Sequence, residues 1–148
     1  MQRENVILLV EDNPDDVELT KRAFERSKVA NEIVTVSDGE EALAYLFATG
    51  RHADREAAAT PHVVLLDLNL PKINGLEVLR RMRADERTKR IPVVVLTTSN
   101  EERDIIGSYD LGANSFVRKP VDFAQFLDAA RQLGLYWLVL NEPPPPIR

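Results

Sequence analysis

Asp67 closes the apolar run Val63-Val64-Leu65-Leu66 and opens the segment Leu68-Asn69-Leu70-Pro71-Lys72-Ile73-Asn74-Gly75. Glu11 and Asp12 close another run, Val6-Ile7-Leu8-Leu9-Val10, and Lys119 closes the last one. A carboxylate at the end of a buried strand is a metal ligand, a nucleophile, or both. With Glu11, Asp12 and Asp67 at neighbouring strand ends, each pair of like charges about 5 Å apart costs roughly 3 kcal/mol at an effective dielectric of about 20. A divalent cation relieves that repulsion. An all-oxygen ligand set favours Mg²⁺ or Mn²⁺ over zinc, and a partly filled shell keeps waters that a phosphoryl oxygen can replace. A phosphoryl group held there makes Asp67 a candidate nucleophile. Lys119 can neutralise the transferring group, and Thr97, at the end of a fourth run, offers a hydroxyl donor to the same place.

Five apolar runs alternate with helical patterns. Strands are expected at Val6 to Val10, Glu32 to Val36, Val63 to Asp67, Val93 to Thr97 and Phe116 to Lys119. Asn13 caps a helix that Pro14 can begin and that runs to about Ser27. Further helices are expected from about Glu40 to Ala48, Leu76 to Asp85, Glu101 to Leu111 (stopped by Gly112) and Asp122 to Leu140. Gly50 to Pro61 is a polar, alanine-rich connection, expected to be an exposed loop. Strict alternation of short apolar strands with helices predicts an α/β fold, a doubly wound parallel sheet of five strands covered on both faces. The catalytic ends of such sheets are their carboxyl ends, where these acids lie.

The chain has 148 residues, a net charge of −5, 44% apolar residues and no cysteine. One domain is expected over residues 1–141, with a proline-rich tail at 142–148 that Pro143 to Pro146 holds extended. The acidic balance, with no basic arm, argues against a nucleic-acid binder. Zero cysteines excludes disulfides and thiolate metal sites. No segment reaches the roughly 20 apolar residues of a membrane span, so a cytoplasmic protein is expected.

The constellation resembles the receiver domain of bacterial response regulators, over residues 5 to about 133. Glu11-Asp12 matches that family's acidic pair, Asp67 its phosphoacceptor, Thr97 its switch hydroxyl and Lys119-Pro120 its Lys-Pro pair. Asn69 matches the position whose backbone carbonyl ligates Mg²⁺, and Phe116 the aromatic switch residue. The resemblance implies a flavodoxin-like (βα)5 sheet with strand order 2-1-3-4-5, a cis Lys119–Pro120 bond and a Mg²⁺- or Mn²⁺-dependent phosphoryl transfer from a histidine kinase. On this reading the chain is not an enzyme beyond its own phosphorylation and dephosphorylation. The segments Leu-Leu-Asp-Leu-Asn-Leu-Pro and Ile-Pro-Val-Val-Val-Leu-Thr-Thr-Ser, the 50–61 loop and Tyr136-Trp137 resemble the small regulators paired with bacterial phytochromes. That implies a phytochrome-type kinase as partner, with a histidine phosphotransfer protein as a further recipient of the phosphoryl group. Asn74-Gly75 in place of Asp-Gly, and Thr98 after Thr97, depart from the common pattern.

Each residue also has a plainer reading. Glu11 and Asp12 could be loop acids, Thr97 an ordinary strand residue, Asn69 a turn former and Phe116 a core aromatic. His52 and His62 lack ligand spacing and are assigned nothing, and Arg80-Arg81-Met82-Arg83 reads as a solvated helix face. Leu133 to Leu140 is apolar all round, so it packs on its own sheet or forms a partner surface. The second reading places a homodimer on helix four, strand five and helix five, with Tyr109, Leu135, Tyr136, Trp137 and Leu138 at the interface. Rival functions are an unphosphorylated scaffold, a flavin-binding module and a phosphatase of the haloacid dehalogenase type. The phosphatase needs a general acid–base where this chain has Asn69. The flavin reading needs phosphate-cradling donors where this chain has Glu11, Asp12, Asp15 and Asp16.

Overall fold

The computed structural model describes residues 6–26, 32–55, 60–120 and 122–145. The expected helix end at Ser27, the alanine-rich part of the 50–61 connection and Pro146 lie outside them.

Strands β1 (Val6–Val10), β2 (Glu32–Val36), β3 (Val63–Leu66), β4 (Val93–Thr97) and β5 (Ser115–Arg118) form one parallel sheet in the order β2-β1-β3-β4-β5. This is the expected order. Every residue of β3 and β4 is buried, because helices cover both faces of the sheet. The two-residue period of each strand splits its side chains between two cores. Leu8, Val10, Val64, Leu66, Val93 and Val95 face α2 (Gly39–Leu46) and α3 (Gly75–Arg83). Ile7, Leu9, Val63, Leu65 and Val94 face α1 (Pro14–Arg26) and α5 (Phe123–Gly134). Helix α4 (Glu102–Asp110) packs beside α3 and β5.

Local chemistry sets the helix starts. Asn13 Oδ1 accepts the Asp15 N–H at 2.9 Å, Asp38 caps α2 through the Glu41 N–H at 2.7 Å, and Asn74 caps α3 through the Glu77 N–H at 3.0 Å. The Asn74-Gly75 departure therefore keeps a working cap. Gly75 has a second task. A Cβ there would lie 2.3 Å from the Asp67 carbonyl oxygen and 2.7 Å from Leu68 Cα, so only glycine lets α3 start this close to the strand end that carries Asp67.

Two expectations are corrected. Arg80-Arg81-Met82-Arg83 is not a uniformly solvated face: Met82 is fully buried, while Arg80 and Arg81 pair with Glu77. The Arg83 guanidinium donates to the carbonyls of Lys89, Ile91 and Gly112 and to Asn114 Oδ1, tying together the loops before β4 and β5. Trp137 is also not an exposed interface residue. It is 8% exposed and packs in the core beneath α1 and α5, because Phe126, Ala130, Gly134 and Trp137 recur on one helical stripe.

Beyond Gly134 the helix widens into a π-helical turn, Leu135–Leu140, which ends where the Asn141 N–H bonds the Tyr136 carbonyl at 2.6 Å. Leu138 is half-buried against the Trp137 core, whereas Leu135, Tyr136, Val139 and Leu140 are exposed. The segment is therefore divided residue by residue between core and exposed apolar surface. No helix among the described residues is long and apolar enough to cross a membrane.

Gly75→Ala is expected to destabilise the fold by about 2–3 kcal/mol, because both neighbours of the new methyl are backbone and cannot move aside. Urea unfolding measures this; a wild-type midpoint would show that the start of α3 is not tied to the Asp67 backbone.

Candidate functional site

Glu11, Asp67 and Lys119 each continue the sheet ladder one step beyond their strands, and Thr97 ends β4. The Glu11 N–H donates to the Val36 carbonyl at 3.0 Å, the Asp67 N–H to the Val10 carbonyl at 3.1 Å, and the Lys119 N–H to the Thr97 carbonyl at 2.7 Å. The backbones are thus fixed laterally, and the side chains emerge together at the carboxyl edge of the sheet. Glu11, Asp67, Thr97 and Lys119 are all buried, while Asp12 and Asn69 are exposed at the rim.

The Lys119 ammonium is the hub. It donates to Glu11 Oε1 in a short contact, to Asp16 Oδ2 at 2.8 Å and to Asp67 Oδ2 at 3.2 Å. Burial alone would lower the Lys119 ammonium, but the carboxylates of Asp16, Glu11 and Asp67 outweigh it and hold the lysine above its ordinary range. The Glu11 carboxyl is pushed up to about 7, first by burial and further by the Asp67 charge, against the opposing pull of Lys119 and the Asn13 N–H. The other Asp67 oxygen, Oδ1, accepts the Thr97 hydroxyl at 2.9 Å and the Asn69 N–H at 3.1 Å.

The structure brings Glu11, Asp12, Asp67, Thr97 and Lys119 together as expected. Asn69 joins them through its N–H, and its side chain stays in solvent. Phe116 is half-buried against the α2–α3 core, and the register pairs Val95 with Phe116 and Thr97 with Arg118. Phe116 therefore lies on the same sheet face as Thr97, two residues back from the edge. Thr98 is exposed. No described peptide bond is cis, so the cis Lys119–Pro120 bond expected from the resemblance is corrected to trans, the form X-Pro bonds intrinsically favour. Sequence reasoning missed Asp16. Its signal was four acids at positions 11, 12, 15 and 16, two more than an acidic pair requires.

Glu11, Asp12 and Asp67 each present a carboxylate oxygen, all within 4.8 Å of one another. Ligands of an octahedral ion at about 2.1 Å lie roughly 3–4 Å apart, so small side-chain rotations would close the set around Mg²⁺ or Mn²⁺. Hard oxygen donors and no sulfur or imidazole suit that class of ion.

The family model for the response regulator receiver domain matches residues 7–131. The chain belongs to that family, and is therefore a receiver domain of two-component signalling. Among characterised proteins it is 41% identical over 141 residues to the "Probable methanogenesis regulatory protein FilR2" of Methanothrix harundinacea, covering 95% of this chain and 88% of that protein. It is 39% identical over 133 residues to response regulator Rcp1 of Synechocystis, covering 90% and 88%. Among solved structures it is similar to the phosphorylated cyanobacterial phytochrome response regulator RcpA, with a TM-score of 0.90, 43% identity and 96% and 99% coverage. Mn²⁺-bound Rcp1 follows with 0.88, 37%, 95% and 99%, and the bacteriophytochrome response regulator RtBRR with 0.76, 54%, 96% and 85%.

The raised Glu11 carboxyl sets a pH dependence in metal-free protein. Between about 4.5 and about 7 the folded state binds a proton here that the unfolded state does not. Stability from this group is therefore gained as pH falls from 8 to 5 and lost as pH rises through about 7, by at most about 3 kcal/mol. Urea unfolding in chelator should show this slope in the wild type and lose it in Glu11→Gln. An unchanged slope in that variant would assign the dependence to another group.

Proposed function

We propose that the chain is a phosphoacceptor whose Asp67 takes a phosphoryl group from a histidine kinase and whose altered surface then binds a partner. The observation that carries this reading is the buried Asp67 carboxylate, with Thr97 and Asn69 donating to one oxygen and Lys119 to the other. In the transfer an Asp67 oxygen attacks phosphorus, a P–O bond forms, and the P–N bond to the kinase imidazole breaks, with its electron pair leaving on nitrogen. Glu11, Asp12, Asp67 and the Asn69 carbonyl would hold Mg²⁺ or Mn²⁺, which neutralises charge on the phosphoryl oxygens when bound. The Mn²⁺-bound state of Rcp1 supports such a site in a similar protein.

The switch starts from a hydroxyl already turned inward. Thr97 donates to Asp67 in the unmodified site, so phosphorylation adds about −1.5 to −2 charge and offers that hydroxyl a stronger acceptor. The resulting tilt of Thr97 is felt by Phe116 on the same face and by the α4–β5 surface. A phytochrome-type kinase is the favoured donor because RcpA and RtBRR, both phytochrome regulators, match nearly the full length of this chain. The similarity to FilR2 leaves the light signal resting on those relatives rather than on the site. Tyr109, Leu135, Tyr136, Val139 and Leu140 leave large apolar surface exposed at α4 and the end of α5, which favours a homodimer there, with half-buried Leu138 beside it. A domain over residues 1–141 with a separate 142–148 tail, and a place in the cytoplasm, fit this role.

Incubation with acetyl phosphate and Mg²⁺ should add about 80 Da, one phosphoryl group, to the intact mass, with no gain in chelator or in Asp67→Asn. No gain with any small donor would favour the unphosphorylated scaffold. Thr97→Ala should still gain the mass yet lose the amide shifts at β5 and α4 on NMR; a full wild-type shift pattern would break the coupling. Light scattering should report a dimer that Tyr136→Glu converts to monomer, and a concentration-independent monomer in the wild type would sink the interface.

A further inference from the structure

We infer that Asp16 is a positioning residue for Lys119, a third tether that keeps the ammonium in place while its other two carboxylates do other work. The inference rests on the phosphoacceptor reading of the site. A lysine ammonium has three N–H donors, and here three carboxylates take them: Glu11, Asp16 and Asp67. Two of these acceptors are also in the cluster suited to a cation, which comprises Glu11, Asp12 and Asp67. A cation and a phosphoryl group in the site would compete with Lys119 for the oxygens of Glu11 and Asp67. Asp16 lies outside that cluster and has no competing demand on its Oδ2, which already accepts Lys119 at 2.8 Å.

The placement of Asp16 is itself constrained. It sits in the first turn of α1, where its N–H lies 3.4 Å from Asn13 Oδ1 and its carbonyl accepts the buried Thr20 hydroxyl at 2.7 Å. The plain alternative is an acid that merely favours a helix N-terminus. Asp15 supplies that charge equally well, one residue earlier, from an exposed position. Of these two acids Asp16 is the one that pairs with Lys119, the residue that follows β5, and its side chain is 22% exposed while doing so. A flexible four-carbon stem gains a fixed direction from such a tether. Lys119 can then trade the Asp67 carboxylate for a phosphoryl oxygen by rotating one N–H, without leaving the pocket.

Two readouts on the full chain test this. The first is the Lys119 ammonium signal in ¹H–¹⁵N correlation spectra of lysine-labelled protein, assigned by its loss in Lys119→Arg. It should be present in the wild type and in Asp15→Ala, and be lost in Asp16→Ala. The second is the rate of mass gain from acetyl phosphate at saturating Mg²⁺. Asp16→Ala should be roughly tenfold slower, Asp16→Asn intermediate because its amide oxygen still accepts, and Asp15→Ala unchanged. A role through charge alone predicts equal losses in Asp16→Asn and Asp16→Ala, and that result overturns the tether. So does an intact ammonium signal in Asp16→Ala. If the wild type gains no mass, the phosphoacceptor reading fails, and the ammonium signal still decides whether Asp16 holds the lysine.

Discussion

Everything at the carboxyl edge of this sheet depends on one imbalance. Three carboxylates, Glu11, Asp16 and Asp67, bond a single buried ammonium, and a fourth, Asp12, lies beside Glu11 and Asp67. One lysine with three donors can bond three of them and neutralise one. The remainder stays as unpaired negative charge in a partly desolvated pocket, where repulsion is several-fold stronger than in water. The fold bears this cost in its own titration: Glu11 is pushed toward neutrality by burial and by its neighbour Asp67. Under the proposed function, Glu11, Asp12 and Asp67 would hold a divalent cation that relieves this repulsion and would neutralise charge on a phosphoryl group beside it. The same strain makes Lys119 the pivot, since any new anion must compete for donors already committed.

The rest of the architecture can be read as what holds that imbalance still. Backbone hydrogen bonds fix Glu11, Asp67 and Lys119 to adjacent strands, so the charged side chains cannot relieve repulsion by drifting apart. Gly75 lets α3 begin against the Asp67 carbonyl and closes the space behind it. At the opposite end of the sheet, Arg83 performs a related service with five hydrogen bonds, pinning the loops that enter β4 and β5. These are the two strands that carry Thr97 and precede Lys119. Thr97 and Lys119 therefore sit at the far ends of strands that are clamped at their beginnings.

The doubly wound sheet and the meeting of Glu11, Asp12, Asp67, Thr97 and Lys119 were legible because both follow from short apolar runs ending in charged residues or a hydroxyl, in strict alternation with helices. The strand order was legible only through the resemblance to receiver domains. A parallel sheet makes strand ends neighbours whatever the loops do. Asp16 was not legible for a physical reason. Two adjacent acids opening a helix look alike in sequence, and which one turns inward depends on helix phase and on where a distant lysine lies. Trp137 was legible in principle, since Phe126, Ala130, Gly134 and Trp137 mark one stripe. The surrounding Leu133 to Leu140 run, apolar on every side, masks that phase. The inward Thr97 hydroxyl is a rotamer, and the trans Lys119–Pro120 bond is one of two close-lying isomers; neither has a sequence signature.

The placement of Asp16 on α1 also bears on how a change at the site would spread. The Thr97–Phe116 line runs to the α2–α3 core and to the α4–β5 surface. Asp16 lies in the first turn of α1, and α1 packs on α5 through a contact so close that a Cβ on Gly134 would meet Phe24 at 2.7 Å. Lys119 touches both lines at once, bonding Asp67 on one side and Asp16 on the other. A rearrangement of its three donors would therefore bear on elements at both faces of the sheet. The α5 end of the second line is where Trp137 is buried and Tyr136 and Leu140 stand in solvent. A partner docking on that apolar surface would thus meet a helix whose packing is tied, through Phe24 and α1, to the same ammonium that balances the acids.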